Sequence, residues 1–341
     1  GEIYAVHPTR ETMAGQRCYP SVEALPVVPD AAYVGVNREA TIDVVRSLAK
    51  RGAGGCVCYA AGFSEVGAPG REFQKRLVEA AGTMPLVGPN CFGFVNYLDR
   101  CALWPYLFGG APVEQGVALI SQSGNIAMNL TMNERSVRFT HVIGAGNQAV
   151  LGPADYLEAL LEDRRVRAVG MYLEGLDDLD AFARMAQRAL ERGVPIVVMK
   201  VGRTQAGSER ASSHTSSLTG SDILYDAYFD RLGVIRVDSL NRLLETLKVF
   251  DVSGPIPGHD IVTLSCSGGE AAILADLSPV YGLKTPPFSE AQTRALYELF
   301  PGYVTVSNPF DYNTSIWGDR QAMQRCFTTA LGGAHHAAIL V

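Results

Sequence analysis

Short apolar runs alternate along the whole chain with stretches in which apolar side chains return every three or four positions. That order predicts strand, helix, strand, helix, the arrangement of parallel α/β sheets. In the first part, strands are expected at residues 3–6, 31–36, 55–60 and 85–87, and Ile42, Val45 and Leu48 mark the inner face of an intervening helix. The second part has the cleanest pattern, with strands at 116–120, 139–143, 166–173, 195–200 and 234–237. Between them Phe182, Met185, Ala186, Ala189 and Leu190 form a helical stripe closed by Gly193, and Ser239 caps a helix whose Leu240, Leu243, Leu244, Leu247 and Phe250 face inward. Ser253-Gly254-Pro255-Ile256-Pro257-Gly258 reads as a linker, after which a third part begins with a strand at 261–264. The expectation is three successive parallel-sheet domains, at residues 1–108, 109–253 and 254–341. Parallel strands are normally entered and left through covering helices. Opening on one strand and ending on another, at 337–341, is therefore expected of a piece cut from a longer polypeptide inside its first and third domains.

Composition agrees with more than one core: 341 residues, 47% hydrophobic and 19% charged. The 35 glycines exceed the average share of about 7% and no low-complexity tract absorbs them, so they belong in turns and binding loops. With 29 basic against 35 acidic side chains the net charge is −6, which argues against a nucleic-acid partner and requires any anionic ligand to be held locally. No apolar run approaches the roughly 18 to 20 residues of a membrane span, and residues 1–11 lack a signal-peptide core, so a cytoplasmic protein without a membrane partner is expected. The seven cysteines read as reduced thiols. Cys56 and Cys58 are expected to face opposite sides of their strand, and no metal site is expected.

Ligands of open parallel sheets bind at the carboxyl ends of strands, which singles out four loops. The strand at 116–120 runs into Ser121-Gln122-Ser123-Gly124-Asn125 and a helix start, where free amides, hydroxyls and a glycine suit an anion or an ordinary capped helix. Ser265-Cys266-Ser267-Gly268-Gly269-Glu270 repeats that construction in the third part. Glu174-Gly175 puts a carboxylate at another strand end, as a ligand-facing group or a solvated acid. His214 lies among the hydroxyls of Ser212-Ser213-His214-Thr215-Ser216-Ser217, where an imidazole can be a phosphorus nucleophile or a plain surface residue.

Together these segments resemble the NDP-forming acyl-CoA synthetases, the superfamily of succinyl-CoA synthetase and ADP-forming acetyl-CoA synthetase. Gly88-Pro89-Asn90-Cys91 is similar to the turn of that family's CoA-binding domain, and Ala60-Ala61-Gly62-Phe63-Ser64-Glu65 to its second loop. Ile120-Ser121-Gln122-Ser123-Gly124 resembles its phosphate-binding helix start, Tyr172-Leu173-Glu174-Gly175 the strand end that supports a phosphorylated histidine, and Ser213 to Ser221 the segment carrying that histidine, with Ser216 where glycine is usual. Gly146-Asn147-Gln148-Ala149 is similar to a loop near the acyl substrate, and Asn308-Pro309-Phe310-Asp311-Tyr312 to a motif of the third domain.

The resemblance implies a Rossmann-like CoA-binding domain followed by two flavodoxin-like ligase domains, the first and third incomplete, with a first strand and glycine-rich loop expected before Gly1 and a second phosphate-binding helix start after Val341. It implies His214 and Glu174 as catalytic residues, Ser121 to Asn125 as the phosphate site, and Arg10, Val36, Asn37, Ala61, Gly62, Pro89 and Asn90 as the CoA site. Asn147, Trp104, Tyr312 and Trp317 are expected to touch a small carboxylate substrate. An aryl acid stacked on these rings, an onium acid in a cation–π box and an acetate-like acid all remain open. ATP or GTP, with Mg, is expected on an ATP-grasp domain or β subunit that nothing in this sequence resembles, and the enzyme is expected to be an oligomer. A CoA-ligating lyase and a non-catalytic CoA-sensing module are the alternatives.

Overall fold

The computed structural model describes residues 1–204, 207, 221–300, 302, 304–333 and 337–340, and among these the chain divides into two compact units, Gly1–Gly254 and Pro255–Val341. The larger unit opens with a small sheet of β1 (Ala5–Val6), β2 (Thr12–Met13) and β3 (Gln16–Tyr19), in the order β1-β3-β2. A parallel sheet follows, of β4 (Ala32–Val34), β5 (Cys56–Cys58) and β6 (Leu86–Val87), with helices α1 (Arg38–Arg51) and α2 (Ala68–Ala81) between its strands. The predicted stripe holds, since Ile42, Val45 and Leu48 are buried in the same core as Leu77 and Ala81 of α2. Cys56 and Cys58 share a face, their sulfurs 3.9 Å apart, which corrects the expectation that they oppose each other: alternate residues of a strand point the same way.

The second sheet has seven strands in the order β13-β12-β11-β9-β10-β7-β8. Five of them are the predicted ones, β9 (Gly116–Ser121), β10 (Phe139–Gly144), β11 (Val166–Leu173), β12 (Ile196–Lys200) and β13 (Ile235–Val237), all parallel. Numbered within this sheet, their order is the 2-1-3-4-5 of flavodoxin. Helices α3 (Gly124–Thr131) and α7 (Leu240–Val252) cover one face, where Ala127, Leu130, Leu243, Leu244 and Leu247 meet Val117, Leu119 and Val197. Helices α4 (Pro153–Glu162), α5 (Leu179–Glu191) and α6 (Asp222–Arg231) cover the other, where Leu157, Phe182 and Phe229 meet Ile120, Met171 and Val198. Gly193 at φ +66° closes α5, its N–H reaching Leu190 O, but Leu190 is 66% exposed and stands off the stripe that the spacing assigned it to.

Two strands of this sheet are absent from the predicted set, as are β2 and β3 of the small one and a short strand of the smaller unit. β7 (Gly93–Asn96) pairs antiparallel with β10, and β8 (Cys101–Leu103) pairs antiparallel with β7, so a segment before residue 109 extends the sheet of the flavodoxin-like part. In the smaller unit, β14 (Ile261–Ser265) lies between β15 (Phe310–Asp311) and β16 (Ala337–Leu340), all parallel, with α8 (Gly268–Val280), α9 (Glu290–Leu299) and α10 (Arg320–Leu331). Its core gathers Leu264, Leu296, Phe300, Phe310, Tyr312 and Cys326. Among the described residues no helix is long and apolar enough to cross a membrane.

Asp251, fully buried at the end of α7, takes two hydrogen bonds from Arg138, at 2.8 and 2.9 Å, while Arg167 donates to its backbone oxygen at 2.7 Å. Removing one partner of a buried pair costs roughly 3–5 kcal/mol, and less where the survivor can rehydrate. Arg138 is about half exposed. Asp251→Ala is therefore expected to lower stability by about 2 kcal/mol in urea denaturation. A loss below measurement would mean that the pair holds nothing in place.

Candidate functional site

The flavodoxin order reverses beside β9, and such reversals leave a crevice at the carboxyl ends of the strands. The loops after β9 and β11 border it. Ser123 caps α3, accepting from Ile126 N at 3.4 Å, and the fully buried Ser121 donates Oγ–H to Ser123 O at 2.7 Å. The N–H groups of Gly124 and Asn125 then begin the helix, where the first-turn amides lack partners within the helix and the dipole favours an anion.

Gln122 behaves differently from its expected phosphate role. Its buried side chain crosses to the neighbouring loop, where Oε1 accepts from Glu174 N and from Gly175 N at 3.1 Å and Nε2 donates to Gly175 O at 2.7 Å. Its own N–H donates to Tyr172 O at 3.1 Å. Gln122 is thus a clamp that sets Glu174 beside the start of α3. His214 lies outside the described residues.

Six of the seven residues expected at CoA stand directly after three adjacent parallel strands: Val36 and Asn37 after β4, Ala61 and Gly62 after β5, and Pro89 and Asn90 after β6. Asn37 is committed as the cap of α1, accepting from Ala40 N at 2.9 Å. Arg38 stacks 3.7 Å above Phe73 and donates to Gly62 O at 2.8 Å, which holds the β5 loop to α1. Arg10 lies on an exposed loop of the separate small sheet, between β1 and β2.

Asn147 ties these two groups of loops together. Asn147 N donates to Pro89 O and Ala149 N to Gly88 O, both at 2.9 Å. Its side-chain Oδ1 accepts from Asn90 at 3.3 Å and its Nδ2 donates to Glu65, whose carboxylate also receives Gly62 N and Phe63 N. The approach is so close that a Cβ at Gly146 (φ +59°) would lie 2.3 Å from Pro89 O. Asn147, expected at the substrate, is a joint between loops. A cavity of about 460 Å³ opens beside it, bordered also by Ser64, Gln74, Gln148 and Asp177.

Of the expected substrate aromatics, Trp104 packs edge-on to Phe92 at 5.5 Å, and Phe92 lies against the start of α3, where a Cβ on Gly124 would come within 3.0 Å of its ring. Trp104 Nε1 and the hydroxyl of Tyr33 are buried with no hydrogen-bond partner among the described residues. Tyr312 is buried on Phe327 in the core of the smaller unit, and Trp317 is 58% exposed there. In that unit Ser265 Oγ donates to Ser267 O at 3.1 Å, copying the Ser121 turn, but a Cβ on Gly268 would sit 3.3 Å from the Asp311 carboxylate. The second helix start faces an anion of its own.

Residues 114–250 match a succinyl-CoA ligase like flavodoxin domain, and residues 1–97 match a CoA binding domain. The chain is 30% identical to subunit alpha of the ADP-forming acetate–CoA ligase II of Pyrococcus furiosus over 94% of its own length and 70% of that subunit. The chain belongs to the NDP-forming acyl-CoA synthetase superfamily. It is also 33% identical to a trans-feruloyl-CoA synthase from an unknown prokaryotic organism, over 91% of this chain and 45% of that protein. The whole chain superposes on an acetyl-coenzyme A synthetase of Candidatus Korarchaeum cryptofilum with a TM-score of 0.88 at 26% identity, covering 74% of that chain. Several curated relatives, the feruloyl-CoA synthase among them, are about twice as long as the stretch this superfamily member spans.

One residue beside Glu174 escaped the sequence reading. Lys200 ends β12 opposite Leu173, is 2% exposed, donates to Val201 O at 2.6 Å and lies 4.6 Å above the ring of Tyr225. Its signal was a charge closing the apolar run Ile196-Val197-Val198-Met199 at a carboxyl strand end. Burial pushes this ammonium down to about 8, Arg236 acts in the same sense, and Asp222 and Glu174 oppose them. Below that pH the folded protein keeps a buried charge at a cost of about 3 kcal/mol, taking ~1.4 kcal/mol per pKa unit. Between pH 8 and the ordinary lysine range near 10.4 only the unfolded chain retains the proton, so this group's contribution to stability improves as pH rises. Lys200→Met is expected to be at least as stable as the wild type in urea at about pH 7, and the wild type to gain on it towards pH 10. Marked destabilisation at pH 7 would show that contacts outweigh burial.

Proposed function

We propose that this chain is the CoA-ligating and phosphotransfer part of an acyl-CoA synthetase that couples carboxylate + CoA + NTP to acyl-CoA + NDP + phosphate. The observation that carries the reading is the Gln122 clamp, which brings a carboxylate, Glu174, and a helix start with open amides to one crevice.

In this reading an acyl phosphate is an intermediate. In the synthetic direction the terminal phosphoryl group of the nucleotide passes to an imidazole nitrogen of His214, with NDP leaving, and then to the carboxylate. The CoA thiolate attacks the acyl carbonyl, the C–O bond to phosphate breaks, and phosphate departs. Glu174 accepts a hydrogen bond from the other imidazole nitrogen and balances the charge that develops there. Gly124 N and Asn125 N face the phosphoryl oxygens, assisted by the α3 dipole. CoA lies along the loops after β4, β5 and β6. The acyl group lies against Phe92 and Trp104, one bond beyond the phosphoryl group, with the Trp104 indole N–H free to donate to it. NTP and Mg belong to an ATP-grasp domain or β subunit, and the working enzyme is an oligomer.

The test uses the complete synthetase with its ATP-grasp module, ATP labelled in the terminal phosphate, and a panel of small, aryl and onium acids. Acid-labile, alkali-stable phosphate is expected on the wild type, none on His214→Asn, and about 100-fold slower labelling on Glu174→Gln. Acyl-CoA should form in step with NDP. Absence of labelled protein would leave a CoA-sensing module, and an unsaturated or volatile product would turn the reading into a lyase.

A further inference from the structure

Acyl transfer brings together two reactants that the chain would hold on two different sheets. CoA lies on the loops after β4, β5 and β6, and the acyl phosphate at the loops of the flavodoxin-like sheet. Reacting atoms have to meet at about 3–3.5 Å, and a misplacement of about 1 Å costs roughly 100-fold in rate. The two sets of loops therefore need a common register, and one carboxylate touches both. Glu65 Oε1 accepts from Gly62 N, while Oε2 accepts from Phe63 N at 3.1 Å and from Nδ2 of Asn147, 82 residues further along the chain. Each end of this contact is fixed again beyond it. Arg38 donates to Gly62 O at 2.8 Å, so Gly62 is gripped at both its N–H and its C=O. Phe63 is fully buried, and α2 starts so close to it that a Cβ on Gly70 would lie 1.7 Å from Phe63 O. Asn147, 8% exposed, accepts from Asn90, and Asn90 N reaches Ala60 O at 2.9 Å. The loops after β5, β6 and β10 thus close a ring of hydrogen bonds through Glu65. Two residues before Asn147, Ala145 N donates to Ser121 O at 2.8 Å, which ties the ring to the start of α3.

We infer that Glu65 is a positioning residue for acyl transfer to CoA: its carboxylate sets the Gly62 and Asn90 loops in register with the loop after β10, and through it with the helix start at Ser121. This rests on the function proposed above and adds the group that aligns its two halves. A carboxylate suits the place because three N–H donors converge on its two oxygens and both accept. A glutamine of the same shape keeps one acceptor and turns an NH2 group towards donors, so the joint loosens while the side-chain volume is unchanged. Phosphoryl transfer from nucleotide, which does not involve CoA, has no need of this register.

The test uses the complete synthetase with its ATP-grasp module and reads the two halves of the reaction separately, for wild type, Glu65→Gln and the double variant Glu65→Gln/Asn147→Asp. Phosphoenzyme formation from ATP labelled in the terminal phosphate, measured without CoA, is expected within about twofold of wild type in both variants, and it serves as the control for folding. With an acid that the wild type turns over, kcat/KM for CoA should fall about 100-fold in Glu65→Gln, while KM for the acid stays within about twofold. The double variant exchanges donor and acceptor across the joint, the amide now donating to the carboxylate, and should recover about tenfold of that loss. Glu65→Gln with the wild-type kcat/KM for CoA, or with labelling reduced in the same proportion, overturns the inference and leaves the function standing, as does a double variant no faster than Glu65→Gln. A wild type that carries no acid-labile phosphate overturns both.

Discussion

One buried amide decides the geometry of the crevice at the carboxyl ends of β9 and β11. Adjacent parallel strands fix each other only as far as their last ladder bond, and beyond it the chains are free to splay. Gln122 replaces the missing ladder between the loops after β9 and β11, its amide matching the N–H and C=O of Glu174 and Gly175 as another strand would. Left without it, buried backbone donors would each forfeit roughly 1–3 kcal/mol, so the carboxylate could not rest at this place by chance. Asn147 does the same work one layer away, joining the Pro89, Asn90 and Glu65 loops to the end of β10. The family's motif residues are therefore largely partners of one another, and only part of each motif is left to meet a ligand.

The two serine-glycine turns show how far local sequence reaches. Both make the same hydroxyl-to-carbonyl bond two residues on, because Ser-x-Ser after a strand has few other ways to satisfy itself. What stands opposite differs. An apolar ring, Phe92, lies against the α3 start, whereas the Asp311 carboxylate lies beside the α8 start. The first favours an anion next to an apolar group, and the second supplies negative charge from the chain itself.

The periodicity made the fold largely legible, because the five parallel strands and their helices bury continuous apolar runs and regular stripes. β7 and β8 escaped because Gly93-Phe94-Val95-Asn96 is short and acquires strand character only by pairing with β10. Leu190 was misplaced because the stripe frays at the last turn of α5, where the core ends. Among the candidate site residues, position was readable and role was not. Gln122 and Asn147 were recognised in motif segments, yet their partners lie some fifty to eighty residues away in sequence, and no local pattern distinguishes a side chain that binds a ligand from one that binds a loop.

Lys200 carries this argument further. An apolar strand ending in a buried lysine contradicts the rule that built the strand, and such conflicts gather where function overrides stability. It stands at the carboxyl ends of three neighbouring strands, where Ser121 closes β9, Lys200 closes β12, and Gln122 and Glu174 follow β9 and β11, beyond the valines and leucines that fill the middle of the same strands. The Gln122 and Tyr225 bonds hold the loop after β11 from both sides, in register with the start of α3.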